Sequence, residues 1–207
     1  KEVRKLDPFS VYAIVSSMEA IKSAKLDLQN LNLDRMGVII GCGIGGIKTL
    51  ENEHTVINNK GARRVSPQFV AKMIPNIAGG HLSMRFGFRG PSQTVISACA
   101  SSNDAIGIAL RLIRYGDADV ILTGGTEASI TPLTIAGFGN MRALSQNCKN
   151  PTKASRPFDA HRDGFVLSEG AGMIVLESEE HALERGATIL AELAGYGSTD
   201  DAFHITQ

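Results

Sequence analysis

The chain has 207 residues, 43% of them hydrophobic and 20% charged, and its Lys+Arg and Asp+Glu counts are both 21, for a net charge of +0. That is enough for one large domain or two small ones around a sizeable core, and it excludes wholesale disorder. A neutral balance argues against a general nucleic-acid or membrane-surface binder, and the longest uncharged stretches, such as Gly90 to Asn103, are broken by Gly, Pro and Ser and fall short of the ~20 mostly apolar residues of a membrane span.

Asp7-Pro8 reads as a helix cap with proline in the first turn, and Val11, Ile14, Val15, Met18 and Ile21 follow at helical spacing. Met36 to Ile40 is a short apolar run ending in glycines, which predicts a buried strand. A helix is expected from about Ile44 to Val56. A polar loop follows from Asn58 to Pro67, with Ser66-Pro67 opening the next helix. Ser92 to Ala98 carries Thr94, Val95 and Ile96 behind the turn pair Gly90-Pro91 and reads as a strand. After Cys99, Ile106, Ala109, Leu110 and Ile113 share one helical face, and Gly116 ends it. Asp119 to Thr123 is expected as a strand closed by Gly124-Gly125. These pieces form a strand–helix–strand unit whose crossover suits parallel pairing. Gly170 to Glu177 reads as a further buried strand, Glu179 to Arg185 as a helix and Ile189 to Leu193 as a last strand. Strands alternate with helices throughout, so the fold class is α/β with a sheet covered on both faces.

Three cysteines, Cys42, Cys99 and Cys148, are too few for a disulfide framework or a metal cluster and suggest a reducing, cytoplasmic setting. No signal peptide is visible and no Met begins the sequence, so the chain reads as a piece of something longer.

Gly41-Cys42-Gly43-Ile44-Gly45-Gly46 matches the G-x-G-x-x-G string of dinucleotide sites. Such a site also wants an acidic residue about 20 positions on, and no Asp or Glu occurs between His54 and Asn103. A tight backbone turn beside a pocket is the better reading. Asp159, His161 and Asp163 resemble the start of a calcium loop, but Gly170 stands where the bidentate Glu belongs, so a turn is expected and no metal. The five histidines are scattered without zinc-ligand spacing.

Cys99 carries more. It follows a strand and opens a helix, so its thiol faces unpaired N–H groups and the positive end of the helix dipole. Both favour thiolate over thiol and raise nucleophilicity, and the following N–H groups could bind an oxyanion. A buried, inert cysteine is the plain alternative. A Cys–His hydrolase is another, although the G-x-C-x-G elbow is missing. Lys60, Arg63, Arg64, Lys72, Arg85 and Arg89 lie in a stretch without acids, and Lys1, Arg4 and Lys5 add to a basic face suited to an acidic or phosphate-bearing partner.

Many short pieces recur in one known order. They include Gly43-Ile44-Gly45-Gly46, Ser66-Pro67, Ile74-Pro75-Asn76, Gly80-His81-Leu82, Gly87-Phe88-Arg89-Gly90-Pro91-Ser92 and Ala98-Cys99. Tyr115 to Asp119, Gly124-Gly125-Thr126-Glu127, Arg142-Ala143-Leu144-Ser145, Arg156-Pro157-Phe158-Asp159, Arg162 to Val166, Glu169 to Gly172 and Asp201 to Thr206 complete the set. Together they resemble the elongating beta-ketoacyl-acyl-carrier-protein synthases of the thiolase superfamily, most closely the bacterial synthase II type. The resemblance covers the whole chain but only the N-terminal and middle portion of such an enzyme. It therefore implies the N-terminal half of a thiolase-like fold, over residues 1–207, truncated at both ends. The catalytic histidines and lysine of the family would lie in the other half, and a fragment without them should be inactive.

The resemblance implies roles for individual residues. Cys99 matches the nucleophile that accepts the acyl chain. Ile44 matches an acyl-pocket residue, Phe138 resembles another wall, and Phe69 with Val70 resembles the part that a partner in a homodimer contributes. Lys1, Arg4, Lys5, Arg63, Arg64 and Arg142 match basic positions that receive the acidic acyl carrier protein. Asp201 and Thr206 bound an entrance loop. The implied reaction is a decarboxylative condensation with malonyl-carrier protein and needs no organic cofactor. A thiolase, a polyketide ketosynthase and a non-catalytic chain-length-factor subunit are the neighbouring alternatives. Cys99 argues against the last, and a nicotinamide oxidoreductase would rest on the glycine string alone.

Overall fold

Apolar residues alternate to both sides of each central strand, and this builds a sheet with two hydrophobic faces. The computed structural model describes residues 3–204. After a 3-10 turn at Val3–Lys5, helix α1 spans Pro8–Ser23, strand β1 Met36–Gly41 and helix α2 Ile47–Lys60. Short helix α3 (Phe69–Met73) and α4 (Ile77–Phe86) lead to strand β2 (Ser92–Val95). Helix α5 (Ser101–Arg114), strand β3 (Val120–Glu127), helix α6 (Pro132–Asn140), strand β4 (Gly170–Glu177) and helix α7 (Glu179–Glu184) follow.

The sheet order is β2-β1-β3-β4. Strand β1 pairs in parallel with both β2 and β3, and β4 runs antiparallel to β3. All six residues of β1 are buried. Met36, Val38, Ile40, Val120 and Leu122 pack against Phe9, Ala13, Ile14 and Ile21 of α1 and Ala78 and Leu82 of α4. On the opposite face Ile39 and Ile121 meet Ala105 and Ala109 of α5. Burial of each of these Val, Leu and Ile side chains stabilises the fold by about 1.5–3 kcal/mol. Arg35 and Asp119 fasten the starts of β1 and β3 with a two-bond guanidinium–carboxylate pair at 2.7 and 3.1 Å.

The α/β class with both faces covered stands, while several boundaries move. Helix α2 starts at Ile47, because Gly45 holds φ 76°, a left-handed conformation that a helix cannot include. It also runs on to Lys60, through the start of the expected polar loop. Strand β3 does not end at Gly124-Gly125. A Cβ on Gly124 would meet the Gly172 oxygen at 2.0 Å, and one on Gly125 would meet the Ser102 Cβ at 2.7 Å. The glycines therefore mark close approach and not a strand end. Strands β2 and β3 are not neighbours, since β1 lies between them. Nor is β4 a buried strand. It is an edge, and Ile174 there is exposed. Ile189 to Leu193 forms no strand, and Leu190 is 87% exposed: the segment pairs with neither edge of the sheet, β2 or β4.

Asp7 does stand at the N-cap of α1, but its side chain caps a different helix. Its Oδ2 accepts from the Thr49 N–H at 3.1 Å and the Thr49 hydroxyl at 2.6 Å, in the first turn of α2. Asp7 is buried, and so it ties two elements together.

Candidate active site

Cys99 occupies the middle of a 3-10 turn, Ala98–Ala100, between β2 and α5. Ala98 has φ 49°, in the left-handed region that residues with a Cβ rarely adopt. The chain reverses there, and the Cys99 thiol is exposed. Ser101 clamps the turn: its hydroxyl accepts from the Ser97 N–H at 2.9 Å and donates to the Ala98 carbonyl at 2.7 Å. Asp104 accepts from the Ser97 hydroxyl and the Tyr196 hydroxyl. The sequence suggested that the N–H groups after Cys99 are open to an oxyanion. Those of Ala100 and Ser101 are instead consumed within the turn, by Ser97 and Ala98 carbonyls. The helix proper begins two residues beyond Cys99, so its positive end lies further from the thiol than the sequence implied.

Glycines set the depth of this turn. A Cβ on Gly41, the last residue of β1, would lie 2.4 Å from the Ser101 carbonyl carbon. Together with Gly125 beneath Ser102, this lets the start of α5 rest directly on the sheet.

The glycine string forms the neighbouring loop. The N–H groups of Gly43 and Ile44 donate to Glu127 Oε2 at 2.8 and 3.0 Å, and that of Gly45 donates to Oε1 at 3.3 Å. The loop is thus an anion-binding nest already filled by the protein's own carboxylate, which leaves no place there for a pyrophosphate. A Cβ on Gly43 would sit 2.8 Å from Glu127 Oε2 and 3.9 Å from the Ala98 carbonyl oxygen, so the loop adjoins the Cys99 turn. Ile44 is 40% exposed at its tip. Sequence reasoning gave Glu127 no role of its own. The signal was its place at the end of a strand after two glycines, but the partner lies 84 residues earlier. Cys42 is buried in the same loop, and burial, helped by Glu127, pushes its thiol up to about 12.

Phe138 is half-buried on α6 with its ring edge-on to Phe165, at a centroid distance of 5.1 Å. Helix α6 is tied to α2 by Glu51, whose Oε1 accepts from the Leu133 N–H at 3.0 Å. Phe69 is half-buried and Val70 58% exposed on α3. None of the described contacts joins Phe138, Phe69 or Val70 to the Cys99 turn.

Asp163 spends its carboxylate on the Ser145 hydroxyl, the Gln146 N–H and Arg156, as a turn requires. Those bonds hold its carboxyl below the ordinary carboxylate value, with the Ser145 hydrogen bond first among them. No group of three or more His, Cys, Asp or Glu fit to hold a metal occurs among the described residues.

Residues 1–182 match the family model for the N-terminal domain of beta-ketoacyl synthases. The chain belongs to that family. It is 52% identical over its full length to 3-oxoacyl-[acyl-carrier-protein] synthase 2 of Staphylococcus aureus and 48% identical to the protein of that name from Synechocystis. Among solved structures, a beta-ketoacyl synthase from Burkholderia phymatum superposes with a TM-score of 0.87 at 32% identity, over 99% of this chain and 50% of that one. A ketosynthase structure described as a type II polyketide synthase acyl-carrier protein in complex with its ketosynthase superposes with a TM-score of 0.74, also at 32% identity, over 89% of this chain and 50% of that one. The chain spans about half the length of the curated relatives it matches.

In this beta-ketoacyl synthase chain the expected docking cations are spread over several elements. Lys5 is exposed at the N-terminal 3-10 turn, and Arg63 and Arg64 are exposed on another, Ala62–Arg64. Arg142 is exposed just after α6 with φ 56°. Lys1 and the Arg4 side chain lie outside the described residues. Asp201, expected to bound an entrance loop, accepts from the Phe203 N–H at 2.8 Å, and Thr206 lies outside the described residues. No helix among the described residues is long and apolar enough to cross a membrane.

Proposed function

We propose that this chain is part of an elongating 3-oxoacyl-acyl-carrier-protein synthase of fatty acid synthesis and carries its nucleophile, Cys99. The observation that carries the reading is an exposed cysteine on a sharp turn between sheet and helix, seated by Gly41 and Gly125. The Cys99 thiolate attacks the carbonyl carbon of an acyl thioester, and the tetrahedral intermediate collapses to expel the carrier thiolate. With the next two N–H groups used in the turn, the Cys99 N–H is the local donor for the oxyanion. Malonyl-carrier protein then loses carbon dioxide. The electrons of the broken C–C bond form an enolate, which attacks the acyl-cysteine and releases the thiolate with a 3-ketoacyl thioester. The groups that assist decarboxylation belong to the half of the relatives that this chain does not match.

Ile44 and Phe138 form walls of the acyl pocket, and Phe69 and Val70 belong to the pocket of the second subunit in a homodimer. The exposed cations Lys5, Arg63, Arg64 and Arg142, with Lys1 and Arg4, steer an acidic acyl carrier protein. Identity of 52% and 48% to proteins named 3-oxoacyl-[acyl-carrier-protein] synthase 2, against 32% to the ketosynthase of the polyketide complex, supports fatty acid over polyketide elongation. The test is acylation of the full-length protein by acyl-carrier protein, read as a mass gain on the Cys99 peptide, followed by condensation with malonyl-carrier protein. Cys99→Ala should abolish both. Acylation that survives the substitution would overturn the assignment.

A further inference from the structure

The glycine loop beside Cys99 is held by one side chain from the far end of β3. Glu127 is half-buried and accepts three consecutive N–H bonds, from Gly43, Ile44 and Gly45. A carboxylate fixes these three successive backbone units strongly because each bond is charge-assisted. The loop is confined on its other side too. The Gly46 N–H donates to the Met73 carbonyl at 2.9 Å, and a Cβ on Gly45 would meet that same oxygen at 2.9 Å. Both carboxylate oxygens of Glu127 are taken up by the loop N–H groups, so it acts on the pocket through the loop.

We propose that Glu127 is a positioning residue for acyl-chain selectivity: its carboxylate fixes the Gly43–Gly45 backbone, which adjoins the Cys99 turn at Ala98, and thereby the direction in which Ile44 leaves the loop. This rests on the reading of Ile44 as a pocket wall. A wall held at three backbone points discriminates between chains that fit and chains that collide with it. A wall released from those points yields to either.

The test uses the full-length enzyme and three variants. Glu127→Gln keeps the size of the side chain but replaces one acceptor oxygen with an amide donor that opposes the loop N–H groups. Gly43→Ala leaves Glu127 in place but puts a methyl 2.8 Å from its Oε2, so the carboxylate and loop must separate. Ile44→Phe is the control for the pocket itself. The readouts are kcat/KM across acyl chain lengths, thermal melting, and the rate at which iodoacetamide alkylates Cys99. Glu127→Gln and Gly43→Ala should each flatten the chain-length profile by about three- to tenfold, with Cys99 alkylation within about twofold of the parent. An altered profile in Ile44→Phe with an unchanged one in both loop variants would overturn the role of Glu127 and keep the pocket. An unchanged profile in Ile44→Phe would overturn the pocket and this proposal with it. A uniform loss at every chain length, tracking a lower melting temperature, would reduce Glu127 to a structural residue. Should Glu127→Gln fail to fold, Gly43→Ala alone decides.

Discussion

Gly41 lies directly beneath Ser101, so close that a Cβ on the glycine would fall 2.4 Å from the serine carbonyl carbon and 2.4 Å from the Ser102 nitrogen. The end of β1 and the start of α5 are therefore in backbone contact, and the Cys99 turn takes its height from the sheet. Gly41→Ala should lift the N-terminus of α5 and destabilise the protein by about 2 kcal/mol through overpacking. Acylation at Cys99 should fall by more than the loss of folded protein explains. Chemical denaturation and single-turnover acylation on the same sample separate the two effects.

The three thiols should differ in reaction. Cys42 is buried and its thiol is pushed up to about 12, whereas Cys99 is exposed on its turn. Limited iodoacetamide treatment of the full-length protein near neutral pH, followed by peptide mapping, should label Cys99 first and leave Cys42 intact. Labelling that favours Cys148 would remove the nucleophile assignment.

Ile44→Phe enlarges a side chain at the tip of the glycine loop. Overpacking of about 1–3 kcal/mol should fall on long acyl chains and spare short ones. Chain-length profiles from steady-state kinetics check this, and an unchanged profile counts against Ile44 as a wall.

Arg63 and Arg64 are exposed and form no ion pair among the described residues. Reversing both to Glu should raise KM for acyl-carrier substrates and weaken its salt dependence, while a small pantetheine thioester is used almost as before. Equal losses on both substrates would refute a docking role.

Acid sensitivity should trace in part to Glu177. Burial opposes its charge, but Arg185, hydrogen-bonded at 2.6 Å through both Nε and Nη2, and His181 outweigh that and hold the carboxyl below its ordinary value of 4.5. A carboxyl held low in the folded state contributes stability that is present above the unfolded value and lost as pH falls through the folded one. Melting temperatures of the parent should therefore drop as pH descends below about 4.5, and Glu177→Gln should be less stable than the parent at pH 7 with a shallower acid decline. Parallel pH curves for the two would exclude this pair as a source.

The parts of the molecule legible in sequence were those with a local signature. The α1 and α5 helices and the β1 run carry their periods in consecutive residues, and β4 has the bounds that its sequence suggests. Both helix faces, however, are turned from the expected stripes. Val15 and Met18 of α1 are exposed while Phe9, Ala13, Ile14 and Ile21 meet the sheet, and in α5 the small residues Ala105 and Ala109 meet it in place of Ile106 and Leu110. Cys99 stood out by its position between a strand and a helix. What escaped were relationships between distant segments. The Asp7 carboxylate looked like a cap for its own helix, yet it reaches Thr49. Gly124-Gly125 looked like the end of a strand, because a glycine needed for close approach and a glycine that ends an element are the same letter. Glu127 carried no mark of its bond to the glycine loop. The Ile189 to Leu193 run has strand composition, but composition does not say whether the run reaches an edge to pair with.

The central strand has a bearing on how the chain is made. Strand β1 needs β2 on one side and β3 on the other, and both come later in the chain. On the ribosome its apolar residues therefore emerge well before either neighbour exists. Local helices can form at once, but β1 has both of its neighbours only when residues up to Glu127 are outside the exit tunnel. Pairings between distant segments are slow to close, and unpaired apolar strands invite association in the interval. The stage at which Gly41 has left the tunnel and Ser92 has not should thus be the one at which chaperone engagement is strongest.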